Sequence, residues 1–134
     1  MKKILLVEDD PDHAELTKEV LGEHQNESDI ILVRDGQEAI DYFQEVSIKL
    51  EGELKNKIKL IILDLNLPKI DGMEVLKFLK NNSNFSQIPV VISSTSSNPK
   101  TIDEAYDNGA NGYVIKHDSY EDFVKKLKKL KEYC

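Results

Sequence analysis

The sequence predicts an α/β domain built on a parallel sheet with helices on both faces, and three observations carry that prediction. Short apolar runs alternate with amphipathic stretches five times along the chain. The runs at 4–7 and 60–63 are apolar without a break, the pattern of strands covered on both faces. Strand-helix alternation throughout then calls for crossovers of one hand, which bring every strand's carboxyl end to the same edge. The 134 residues suit one domain, 1–134, with no repeat, linker or output domain left over.

Taken in order, residues 4–7 form the first strand and run into Glu8, Asp9 and Asp10. Asp10-Pro11 opens a helix over roughly 11–24, with Asp10 as N-cap and Pro11 at the first helical position. Asp12 and Glu15 favour the positive end of its dipole, and Ala14, Thr17, Val20 and Leu21 recur on one face. Residues 29–33 form the second strand, and Asp35-Gly36 opens a helix with Ala39, Ile40 and Phe43 on one side.

Residues 45–58 are rich in lysine and glutamate. They read as an extension of that helix and then a solvated connector, long beside the roughly 2–6 residues usual in such units. The segment 60–71, LIILDLNLPKID, organises the rest: a buried strand ends on Asp64, then Leu67-Pro68 and Asp71-Gly72 turn the chain. A helix over 72–81 follows, with Met73, Val75, Leu76 and Leu79 inward, and 82–84 ends it.

The fourth strand, 88–93, leads into a hydroxyl-rich tip at 93–97. A short helix over 101–108 stops at Gly109, the usual C-terminal glycine. Residues 112–115 form the fifth strand, ending on Lys116. Ser119 caps the last helix, whose buried stripe is Tyr120, Phe123, Val124, Leu127 and Leu130. Lys125, Lys126, Lys128, Lys129 and Lys131 mostly take its solvated side.

Composition narrows the function classes. Acids number 25 against 18 bases, a net charge of −7, which argues against a surface built for nucleic acid or anionic membrane. No run approaches the roughly 18 apolar residues of a membrane span. The N-terminal apolar run meets Glu8 too soon for a signal peptide. The one cysteine, Cys134, provides no intramolecular disulfide and no metal cluster. A cytoplasmic location follows.

One sheet edge thus collects Glu8, Asp9 and Asp10 from the first strand, Asp64 from the third, Ser94 and Thr95 from the fourth and Lys116 from the fifth. Open α/β sheets bind ligands along this edge. Clustered carboxylates repel, so at least one takes up a proton more readily unless a cation compensates. Oxygen ligands of this kind suit a hard divalent ion such as Mg²⁺, which typically takes one or two carboxylates plus waters and phosphate oxygens. A carboxylate beside such an ion can attack phosphorus and form an acyl phosphate, with the metal and a lysine neutralising the equatorial oxygens. No general base stands out, and phosphoryl transfer from an activated donor to a carboxylate needs none.

VEDD at 7–10, DLNLPKIDG at 64–72, the hydroxyl after IPVVIS at 88–93 and GYVIK at 112–116 together resemble a response-regulator receiver domain over essentially the whole chain. The resemblance implies a flavodoxin-like doubly wound fold with a five-stranded parallel sheet in order 2-1-3-4-5. It implies phosphorylation by a histidine kinase or a phosphotransfer protein, using Mg²⁺. Position by position, Asp64 matches the phosphoacceptor, and Glu8 and Asp9 the acidic metal pair, with Asp9 the direct ligand and Glu8 acting through water. Asn66 matches the residue whose backbone carbonyl completes the metal shell. Ser94 matches the switch hydroxyl, Lys116 the lysine and Tyr113 the aromatic that changes rotamer. Asp10 falls outside the pair and caps its helix. Thr95 stands where a small residue is usual and narrows access to the phosphate.

His117 stands where the family commonly has proline. A cis peptide there would cost roughly 2.5–4 kcal/mol, so a trans bond and a different loop shape are expected. The resemblance further implies a stand-alone switch whose face of fourth helix, fifth strand and fifth helix binds a partner or a second copy. The long segment before Leu60 and the DLNLP wording are similar to regulators paired with phytochrome-type kinases. Two rival classes differ in kind. An aspartyl-nucleophile phosphatase usually shows D-x-D, but Asn66 occupies the second position. A phosphate-independent interaction module would not need the intact set of Glu8, Asp9, Asp64, Ser94 and Lys116.

Overall fold

The computed structural model describes residues 3–22, 30–50, 58–116 and 120–129. Five strands alternate with five helices: β1 (Lys3–Val7), α1 (Pro11–Gly22), β2 (Ile30–Val33), α2 (Gly36–Leu50), β3 (Ile58–Asp64), α3 (Gly72–Lys80), β4 (Val90–Ser94), α4 (Pro99–Asp107), β5 (Gly112–Ile115) and α5 (Tyr120–Lys129). All strands are parallel and lie in the order β2-β1-β3-β4-β5. The expected doubly wound fold is the one observed.

Period-two alternation along the buried strands divides the interior into two layers. Ile4 and Leu6 of β1 join Leu60 and Ile62 of β3 on one face, where Ala14, Val20 and Leu21 of α1 and Phe123 and Leu127 of α5 cover them. Leu5, Val7, Ile61 and Leu63 point to the other face, against Phe43 of α2 and Val75, Leu76 and Leu79 of α3. These strand residues are at most 2% exposed, and each such aliphatic contributes about 1.5–3 kcal/mol on burial. Both faces being covered explains why the strands read as unbroken apolar runs.

Three boundaries differ from the sequence expectation. β3 begins at Ile58, two positions before the apolar run becomes obvious, because Ile58 is buried and pairs with Lys3. β4 starts at Val90: Pro89 has no N–H to give the ladder, though its carbonyl accepts Ile61 N–H at 2.9 Å. α4 starts at Pro99, where Asn98 caps Lys100 N–H and proline takes the first turn. The remainder of the 45–58 connector, 51–57, lies outside the described residues, as do His117, Ser119, Leu130, Lys131 and Cys134. Among the described residues, no helix is long and apolar enough to cross a membrane.

Candidate functional site

The site forms where β1, β3 and β5 end together. Register fixes the meeting: Val7 pairs with Leu63, so Glu8, just past β1, comes beside Asp64, the last residue of β3. Glu8 keeps its N–H on Val33 O at 3.0 Å and is 2% exposed, whereas Asp9, next in the chain, is exposed. Asp64 ends β3 at 4% exposure. Lys116 follows β5, held by its N–H on Ser94 O at 2.7 Å, and sends its ammonium inward. Lys116 Nζ stands 2.5 Å from Glu8 Oε1 and 3.0 Å from Asp64 Oδ2. The other Asp64 oxygen, Oδ1, accepts Asn66 N–H at 3.0 Å.

One ammonium between two buried carboxylates leaves this cluster short of positive charge. Glu8 shows the consequence: burial first, and the hydrogen bond with Asp64 second, push its carboxyl up to about 8 although Lys116 pulls it down. Ligand oxygens of Glu8, Asp9 and Asp64 lie within 4.8 Å of one another. An all-oxygen, acid-rich set with unmet negative charge fits a hard divalent cation.

The raised Glu8 has a measurable consequence. Its folded value exceeds the unfolded 4.5, so between about 4.5 and 8 the folded chain holds a proton that the unfolded chain has released. Stability from this group is therefore full at low pH and lost as pH rises towards 8. Urea unfolding in chelator should show wild type losing about 2 kcal/mol or more relative to Glu8→Gln between pH 5 and 8. Equal slopes for the two proteins would contradict the assignment.

A cavity of about 240 Å³ opens onto the cluster, lined by Asp9, Asp10, His13, Asp64, Asn66, Thr95 and Lys116. Asp10 behaves as expected, its Oδ1 accepting Asp12 N–H at 2.9 Å as a helix cap. Thr95 is on the rim, where Asn66 Nδ2 donates to its Oγ1 at 3.3 Å and bridges part of the mouth. Ser94 is fully buried, its Oγ accepting Ser96 N–H at 3.1 Å, and it does not line the cavity. Tyr113 lies farther along the edge, half-buried, its hydroxyl donating to Ser96 O at 2.8 Å. Both residues thus hold the β4–α4 loop at neighbouring points.

His13 went unnoticed in the sequence. It lies in the first turn of α1, just after the Asp9-Asp10 pair, and lines the same cavity.

Comparison with known proteins bears directly on this edge. The family model described as the response regulator receiver domain matches residues 4–128. The chain belongs to that family. Its relatives include the probable methanogenesis regulatory protein FilR2 of Methanothrix harundinacea, 38% identical over 97% of this chain and 81% of its own length. Response regulator Rcp1 of Synechocystis is 37% identical over 98% of the chain and 88% of its own.

Among solved structures, the phosphorylated cyanobacterial phytochrome response regulator RcpA aligns with a TM-score of 0.83 and 39% identity. That alignment covers 98% of this chain and 92% of the other. The Mn²⁺-bound form of Rcp1 aligns at 0.81 and 36%, covering 98% and 93%. The receiver domain is therefore a two-component response regulator of the type related to Rcp1 and RcpA. Receiver domains bind divalent metal, as the manganese form of Rcp1 does, and the Glu8, Asp9 and Asp64 cluster of this chain suits that use.

Proposed function

We propose that Asp64 accepts a phosphoryl group from a histidine kinase or phosphotransfer protein, with Mg²⁺ held by Asp9, Asp64, the Asn66 carbonyl and, through water, Glu8. The observation that carries this reading is Lys116 Nζ placed between Glu8 and Asp64 at the floor of an open acidic cavity. An Asp64 oxygen attacks phosphorus as the donor's P–N bond breaks, and the electron pair leaves with the donor imidazole. Lys116 neutralises the incoming phosphoryl oxygens, and the bound cation adds charge stabilisation there. Asn66 N–H on Asp64 Oδ1 fixes the carboxylate's rotation, so Oδ2 is the oxygen that Lys116 shares with an incoming group.

The phosphorylated state draws the Ser94 hydroxyl away from Ser96 N–H and towards the phosphoryl oxygens. That shift releases the loop on which Tyr113 rests and lets the aromatic turn inward. It is a local charge change biasing a two-state element. Output leaves through α4, β5 and α5, where Tyr106 is 48% exposed, to a partner or a second copy of the chain. In this reading the protein is a cytoplasmic phosphoacceptor rather than an enzyme with turnover, and a phytochrome-type kinase is the donor class that the likeness to RcpA favours.

Incubation with Mg²⁺ and acetyl phosphate tests the proposal. Wild type should gain about one phosphoryl group per chain, stable to acid and labile to base, and Asp64→Asn should gain none. Catalytic turnover without an adduct would point instead to a phosphatase. No adduct from any donor would leave an interaction module.

A further inference from the structure

We propose that the β2–α2 corner, Asp35-Gly36, is a positioning site for the divalent cation and acts by bracing the 65–71 loop. The proposal rests on the Asn66 carbonyl being a metal ligand. The loop that carries Asn66 leaves the end of β3 and is tied at its base, where Gly72 N–H returns to Leu65 O at 3.0 Å. Its far part is bent tightly. Ile70 N–H donates to Pro68 O at 2.9 Å across Lys69, whose φ is 69°. That hydrogen bond and that φ belong to the rare, strained form of γ-turn, here with a side chain at its centre. Such a conformation persists only where the surrounding structure imposes it.

The corner supplies what imposes it. Gly36 N–H donates to Pro68 O at 3.3 Å, and Lys69 Nζ stands 3.5 Å from Asp35 Oδ2. A Cβ on Gly36 would run into Ile70 O and lie 2.8 Å from Ile70 C, so corner and turn meet backbone to backbone. The corner is itself held firmly. Asp35 is buried and caps α2: its Oδ1 accepts Glu38 N–H at 2.8 Å and its carbonyl accepts Ala39 N–H at 3.1 Å. Two residues before Asp35, Val33 O accepts Glu8 N–H at 3.0 Å. The corner thus joins the strand end that carries Glu8 to the loop that carries Asn66. A small hard cation such as Mg²⁺ demands near-ideal ligand geometry, and groups behind the ligands therefore tune its affinity.

Titration of Mn²⁺ with the folded protein, following free Mn²⁺ by its electron paramagnetic resonance signal, tests the brace. Gly36→Ala should bind about 10-fold more weakly than wild type, whereas Gly109→Ala, strained away from this loop, should bind as wild type does. Asp35→Asn keeps a side-chain oxygen for the α2 cap and gives up the ion pair, and Lys69→Gln gives up its other half. Each should weaken Mn²⁺ binding about 3-fold, and the double variant no more than either alone. Charge acting at a distance would split the two: loss of a cation near the site would tighten Mn²⁺, and loss of an anion would loosen it. Lys69→Gln that binds Mn²⁺ as tightly as wild type, or more tightly, overturns the brace, as does folded Gly36→Ala with the wild-type affinity. If Gly36→Ala does not fold, the Asp35 and Lys69 variants decide alone. Wild type that takes up no Mn²⁺ overturns the metal reading and the brace together.

Discussion

Lys116→Met is expected to cost about 3–5 kcal/mol of folding free energy at pH 8 in chelator, and much less at pH 5. The three side chains involved are 4%, 2% and 5% exposed, so removing the ammonium leaves Glu8 without a compensating cation and Asp64 with only the cavity mouth for solvation. Methionine fills much of the same length without charge, which separates electrostatics from packing. Loss of the cation also removes what pulls Glu8 down, so its carboxyl rises beyond its already elevated position. A carboxyl held above its unfolded value favours the folded state when protonated and disfavours it as pH rises, so the cost grows with pH. A divalent cation should restore part of the loss at pH 8, because it supplies the missing charge to the same oxygens. Urea unfolding at the two pH values, with and without Mg²⁺, measures all of this. An equal cost at both would mean that Lys116 acts by packing rather than by charge.

That prediction stands on residues that the sequence made legible. Val7 and Leu63 end unbroken apolar runs, so Glu8 and Asp64 had to emerge on the edge where parallel strands finish together. Lys116 was legible for the same reason, as the residue after a short apolar strand. Ile58 was not, because a lysine- and glutamate-rich segment surrounds it and its pairing with Lys3 is a tertiary event. The start of α4 had a local signal in Asn98-Pro99, which the run of hydroxyls before it obscured.

Side-chain choices made by local hydrogen bonding were the least legible. Ser94 has the right place in the chain, yet its hydroxyl is committed to Ser96 N–H. Nothing in the residue order announces that choice, since a short hydroxyl meets its neighbours' backbone as readily as a distant ligand. Lys80 is similar: its Nζ binds Ser86 O, Ile88 O and Asn111 Oδ1, tying α3 to the entries of β4 and β5. In the sequence it was simply one more charge at a helix end.

Gly72→Ala should lower stability by about 3 kcal/mol and the thermal midpoint by roughly 10 °C, with at least about a 10-fold drop in phosphoryl loading at Asp64. Gly72 begins α3, and its N–H returns to Leu65 O at 3.0 Å, closing the 65–72 turn against the end of β3. A Cβ there would lie 2.2 Å from Asp64 O and 2.5 Å from Leu65 Cα. Both are backbone atoms, so relief requires moving the peptide that carries the phosphoacceptor. That movement also disturbs Asn66 N–H on Asp64 Oδ1 and the 3.0 Å contact of Asp64 Oδ2 with Lys116. Gly109→Ala provides the comparison. Gly109 has φ +101, a conformation costing a side chain about 1–2 kcal/mol, but its new Cβ would meet only the flexible Lys80 side chain, at 2.8 Å. Gly109→Ala should therefore lose stability while loading normally, whereas Gly72→Ala should lose both. Thermal melts alongside acetyl phosphate loading distinguish the two, and a Gly72→Ala protein that loads like Gly109→Ala would show that the turn does not position Asp64.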